Sequence, residues 1–142
     1  MNLQAAVFQR INGHAPLTAL LGEYGGEPAV FSDRQPSDFV QGWRPSIIID
    51  APVRQDDRDT FSREWRDGAL RIRLYAKLDR TQPTAPRLRE ASEMVRALFH
   101  RRGFTVAGLK IQSVASGPTD GPVDDASEIG RVVQIQLMAS AA

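Results

Sequence analysis

Few side chains in this sequence have the type and spacing that chemistry requires. Of the two histidines, His14 and His100, neither stands in an H-x-x-x-H or carboxylate–histidine pattern that would bind a metal. His100 ends a charged helical stretch, where an imidazole is most simply a partner of the helix dipole. There is no cysteine, so disulfides, thiolate metal sites and cysteine nucleophiles are excluded. The sequence contains no G-x-S-x-G, phosphate loop or G-x-G-x-x-G. Gly22-Glu23-Tyr24-Gly25-Gly26 is glycine-rich, but it follows a helical segment and no Lys-Ser/Thr comes after it. It reads as a helix cap and turn.

Two acidic groups invite a metal reading. Asp56, Asp57 and Asp59 resemble part of a calcium loop, yet a loop begun at Asp57 has no Gly at its sixth position and no Glu at its twelfth. Asp120, Asp124, Asp125 and Glu128 form a looser set with no ligand pattern. Both read as solvated loops, and nothing favours a glycosidase-like carboxylate pair. Arg71, Arg73 and Lys77 form a basic stripe. It is either an ordinary polar sheet face or a charged contact with a neighbouring subunit or a polyanion. Trp43 and Trp65 suit an interface or the edge of a core.

The elements that position these residues follow from periodicity. Leu3, Ala6, Val7 and Ile11 share a helical face over residues 2–12, and Asn12-Gly13 stops it. Pro16 opens a second short helix closed by Gly22. Ala29-Val30-Phe31 reads as a short strand, and residues 32–44 as irregular. Ile47-Ile48-Ile49 is β-branched on both faces, as in a strand covered on both sides. Residues 52–67 carry many charges without a period and read as a long loop or an extended hairpin arm. From Ala69 to Lys77 the chain alternates, with Leu70, Ile72, Leu74 and Ala76 on one face and the basic stripe on the other. A helix at about 86–102 is predicted from Leu88, Ala91, Val95, Leu98 and Phe99. His100, Arg101 and Arg102 fall in its last turn, and Gly103 closes it. Residues 109–112 and 132–138 alternate again, and 117–128 should be an exposed, flexible loop. The sum is an α+β domain. An antiparallel sheet of about four strands is covered on one face by the main helix and the short N-terminal helices.

Composition bounds the rest. A chain of 142 residues makes one domain, and 18 basic against 17 acidic residues, a net charge of +1, argues against a dedicated nucleic-acid binder. No stretch is apolar for long enough to span a membrane, and Gln4, Gln9, Arg10 and Asn12 interrupt any signal-peptide core. The expected address is therefore the cytoplasm.

The order of these segments resembles the tail-completion or tail-terminator proteins of long-tailed bacteriophages, a family of small phage proteins once catalogued as a domain of unknown function. The resemblance rests on a helix ending near Gly13, then Pro16-Leu17-Thr18-Ala19-Leu20-Leu21-Gly22 and the Pro-x-Ile-Ile-Ile strand at 45–49. A variable charged arm follows, then Leu70-Arg71-Ile72-Arg73-Leu74-Tyr75, a helix with Ala91, Val95 and Leu98, and the closing strand 131–137. Trp43-Arg44 before Pro45 and the acidic 117–128 loop depart from the pattern.

The resemblance implies a virion protein, assembled in the host cytoplasm. It would form a homo-oligomeric ring, commonly of six, at the head-proximal end of the tail tube. Such a ring stops tube growth and contacts the tail tube protein and a head-side connector or stopper. DNA passes through its lumen without sequence-specific binding. No cofactor, no catalysis and no membrane are implied. A ring needs two different patches on each copy. The arm, the basic stripe and the loop supply candidates: Arg54, Asp56, Asp57, Arg58, Trp65, Arg71, Arg73, Asp124 and Asp125. The competing readings are a connector or stopper of the neck, a small dimeric cellular binding domain, and an enzyme using dispersed carboxylates.

Overall fold

The computed structural model describes residues 3–141 except 53, 60–63, 107, 122, 124 and 125; at 54–59, 64–67 and 141 it describes the backbone alone. The chain begins with helix α1 (Leu3–Asn12) and the one-turn α2 (Ala15–Thr18). A two-stranded ribbon, β1 (Glu23–Tyr24) and β2 (Glu27–Pro28), precedes β3 (Val30–Ser32) and β4 (Ser46–Ile49). Next come β5 (Arg54–Asp59), β6 (Glu64–Lys77) and helix α3 (Thr84–Phe99). The chain closes with β7 (Arg102–Val106), β8 (Leu109–Asp120) and β9 (Glu128–Ala141). Among the described residues no helix is long and apolar enough to cross a membrane.

Seven strands make one sheet in the order β3-β4-β6-β9-β8-β7, with β5 also bonded to β6. The alternation of β6 and β9 builds its inner face. Leu70, Ile72, Leu74 and Ala76 lie beside Val133, Ile135, Leu137 and Ala139, and all are buried. Helix α3 covers them with Leu88, Ala91, Val95 and Phe99, and α1 adds Leu3, Ala6, Val7 and Ile11. Strand β4 is buried at every position, as its β-branched run predicts. Ile47 and Ile49 join the main core. Ile48 belongs to the opposite face, in register with Phe31, whose ring packs edge-on against Tyr24 and Phe39.

The sheet is larger than the expected four strands, and β3–β4 is a parallel pair within it. Two segments add strands to it, and a third lengthens one. Within 52–67, residues 54–59 and 64–67 are not a free loop: β5 pairs with the first half of β6 from Arg54↔Ala69 to Asp59↔Glu64, which is the hairpin alternative, and 53 and 60–63 lie outside the described residues. Strand β7 begins where the main helix was expected to continue. The helix ends at Phe99, and Arg101 turns the chain at a positive φ of 52°, the role assigned to Gly103. Gly103 instead lies within β7, where an added Cβ would come within 2.9 Å of the Gln112 side chain. Finally, the expected flexible loop 117–128 is shorter. Residues 117–120 belong to β8, with Thr119↔Val132 and Asp120↔Arg131 paired beyond a bulge after Ser116.

Candidate functional site

Strand register brings two arginines and one carboxylate together on the sheet face that the helices leave open. Arg71 and Arg73 are two apart on β6, so both belong to that face. Strand β4 runs antiparallel beside them, with Ile48 opposite Arg73, and the Asp50 N–H donates to the Arg71 carbonyl at 3.0 Å. The Asp50 carboxylate therefore falls between the two guanidinium groups. Arg73 Nη2 is 2.8 Å and Nε 3.0 Å from Asp50 Oδ1, and Arg73 Nη1 donates to the Tyr75 hydroxyl at 3.1 Å. Arg71 Nε is 3.3 Å from Asp50 Oδ2, an ion pair whose alignment is not that of a hydrogen bond. Burial works against the charge of Arg73, but the bonds to Asp50 and Tyr75 outweigh it and hold the guanidinium above its ordinary pKa.

The same cluster ties down the start of the chain. Asp33, at a positive φ of 70°, offers its carbonyl to Arg73 Nη2 at 3.3 Å. Its carboxylate accepts from Gln4 Nε2 at 2.9 Å, and Gln4 donates equally to the Ile49 carbonyl. Helix α1 is thus pinned to the end of β4. Beyond this cluster the open face is shallow and concave around Arg71, Ser116, Gln134 and Gln136. Val114 and Met138 stand on it 51% and 46% exposed, which leaves apolar surface without a cover.

A second charged feature lies at the far edge. The C-terminal carbonyls of α3 receive two arginines: Arg10 Nε donates to Leu98 O at 2.8 Å, and Arg102 Nε to Ala97 O at 3.1 Å. The Arg10 guanidinium lies 4.3 Å over the Phe104 ring. Burial, and then the charge of Arg102, lower the Arg10 pKa. His100 stands at the C-cap of α3 and has a further partner in β8. Its Nδ1 bonds the Ala115 carbonyl at 3.0 Å, and because a carbonyl only accepts, this nitrogen carries the proton.

The structure brings some of the predicted residues together and separates others. Arg71 and Arg73 share one carboxylate, as two candidates of the basic stripe. Arg54, Asp56, Asp57 and Arg58 occupy β5, and Trp65 lies in the first half of β6; the side chains of all five are outside the described residues. Asp124 and Asp125 also lie outside them. Among the described residues no three His, Asp or Glu side chains gather as metal ligands. Sequence reasoning passed over Asp50, Asp33 and Gln4, which come together only through strand pairing. It placed Arg102 at the end of the main helix but passed over Arg10 joining it there, although a signal for a basic end was present: residues 94–119 contain no acidic residue at all.

No family model matches the chain, and no curated protein matches it. Among solved structures, a chain from the virion of a native gene transfer agent particle has a similar fold, with a TM-score of 0.64. The likeness covers 98% of this chain and 93% of that one, at 18% sequence identity. At that identity the two share a fold from end to end.

Proposed function

We propose that this protein is a structural subunit of a phage or phage-derived virion. Within that class, we read it as the subunit of a ring, six-membered by resemblance, at the head-proximal end of the tail tube. There it ends tube growth and joins the tail to the head-side connector, with DNA passing through its lumen and no catalysis or cofactor required. The observation that carries the reading is the fold shared with a virion chain over 98% of this sequence. Two further features support it. A ring subunit must present two unlike patches, and this molecule has a paired-strand arm (54–59 with 64–69) at one edge and the Arg10–Arg102 end at the other. The uncovered sheet face with Val114 and Met138 suits contact with another protein.

The test is mass-resolved size in solution, first for the protein alone and then mixed with tail tubes of the particle that encodes it. The expected result is a closed ring capping the tube end. A ring on the head-side connector but never on tubes assigns the chain to the connector or stopper instead. A compact monomer or dimer indifferent to both overturns the virion reading in favour of a small cellular binding domain.

A further inference from the structure

The charge of this chain is divided in space, although its total is nearly zero. Residues 1–22 and 94–119 carry Arg10, Arg96, Arg101, Arg102 and Lys110 and no Asp or Glu; the remaining segments hold thirteen basic and all seventeen acidic residues. The basic segments converge where the C-terminal ends of α1 and α3 meet β7, through the Arg10 and Arg102 bonds described above. A groove lies there, bounded by Gln9, Arg10, His14, Leu98, Phe104 and Val106. Strand β7 pairs with β8 on one side and, among the described residues, with no strand on the other. At the opposite edge of the same half of the sheet, β5 pairs with β6 and, among the described residues, with no further strand.

We propose that β5 of one copy adds to the free edge of β7 of the next, so that the sheet continues from subunit to subunit. This rests on the ring reading and names its seam. Three observations favour it. The two edges match in length, six residues in β5 and five in β7. Their directions agree: each neighbouring pair along β5-β6-β9-β8-β7 is antiparallel, so β5 and β7 run the same way. A rotation about an axis along the strands then sets them side by side as a parallel pair. The faces also agree. Register places positions 55, 57 and 59 of β5 on the side of Gly68 and the helices. A continuous sheet keeps its sides, so Asp57 and Asp59 arrive on the side where Arg10 and Arg102 lie. The occupant is therefore a second copy of this chain, held by backbone bonds and steered by opposite charge.

The absence of cysteine makes a direct test available. Thr105→Cys on β7 is mixed with Arg54→Cys, Asp56→Cys or Arg58→Cys on β5. These three belong to the same sheet side as Thr105, so one of them neighbours it in any register. Under mild oxidation in concentrated protein and on tail tubes, one mixture should give a disulfide-linked pair of unlike copies. A second test is Arg101→Glu/Arg102→Glu, which should weaken assembly about tenfold and be rescued by Asp57→Arg/Asp59→Arg in the neighbouring copy. Circular dichroism checks that each variant remains folded. If the unmodified protein forms rings but no mixture cross-links and charge reversal has no effect, the seam is elsewhere and the ring reading stands. If it forms no ring alone or on tubes, both fall together.

Discussion

The Asp50 carboxylate governs the open-face cluster because it answers two guanidinium groups, those of Arg71 and Arg73. Its side chain is 14% exposed and that of Arg73 is 25% exposed, so their pair is shielded far more than an ordinary surface bridge. Asp50→Ala leaves Arg73 half-buried without its carboxylate, and it should lower unfolding free energy by ~1–3 kcal/mol in urea titration. Arg71 is 51% exposed on the same carboxylate. Arg71→Ala should therefore cost less than about 1 kcal/mol. Equal losses from the two variants would contradict this division. A second carboxylate provides a pH marker. The Asp79 carboxylate accepts from the Thr81 hydroxyl at 2.7 Å and from the Thr81 N–H at 2.9 Å, and these bonds hold its pKa below the usual value. A depressed carboxylate stabilises the fold above its unfolded pKa, and that contribution disappears as pH falls through the lower folded value. In a carboxyl NMR titration Asp79 should titrate low, and Thr81→Val should move its midpoint back up. An unchanged midpoint would remove the hydroxyl from the explanation.

The elements that could be read from sequence were those whose one face is apolar. Leu70, Ile72, Leu74 and Ala76 alternate without a break, and the core of α3 repeats at helical spacing, so both were foreseen close to their true places. The first half of β6 has no such signal. Glu64-Trp65-Arg66-Asp67-Gly68 pairs with β5 and β9 but alternates no apolar residues, so its strand character comes from partners distant in sequence. Strand β7 is short and holds only Phe104 and Val106 as apolar residues, directly after a helix, so the helical signal absorbed it. The bulge in β8 was hidden by two prolines and two glycines over 117–122 that suggest a loop. Gly117 stands at its start with φ of 95°, and an added Cβ would come within 2.9 Å of the Val132 carbonyl. Gly117→Ala should cost ~1–3 kcal/mol and shift the thermal midpoint down. A melting curve like that of the unmodified protein would show that β8 relaxes around the bulge.

At the scale of the whole molecule, balanced composition concealed an uneven distribution. A net charge of +1 argues against a dedicated nucleic-acid binder but leaves room for a local basic face, and the acid-free segments 1–22 and 94–119 do fold against one another. Counting charge by segment exposes that asymmetry in sequence; only the fold shows that the segments meet. The stripe on β6 was legible for the opposite reason, since strand period alone puts Arg71 and Arg73 on one side, while their shared carboxylate required the β4 register. Contacts between unlike charges weaken as salt screens them. Assembly of copies, followed by light scattering, should therefore decline between low and high ionic strength. Salt-independent assembly would point to apolar contacts, with Val114 and Met138 the first to examine.

The long pairing of β6 with β9, from Trp65↔Ser140 to Lys77↔Glu128, also determines how the molecule answers a pull. The arm is an extension of β6 itself, and β9 is bonded to β8 on its other side. A tug on the arm along the strand axis therefore shears a whole ladder at once instead of peeling bonds singly. To slip by one position, β6 would have to turn Leu70, Ile72 and Leu74 out of the core. Tension applied to the paired strands of the arm is thus carried along β6 into the packing beneath α3.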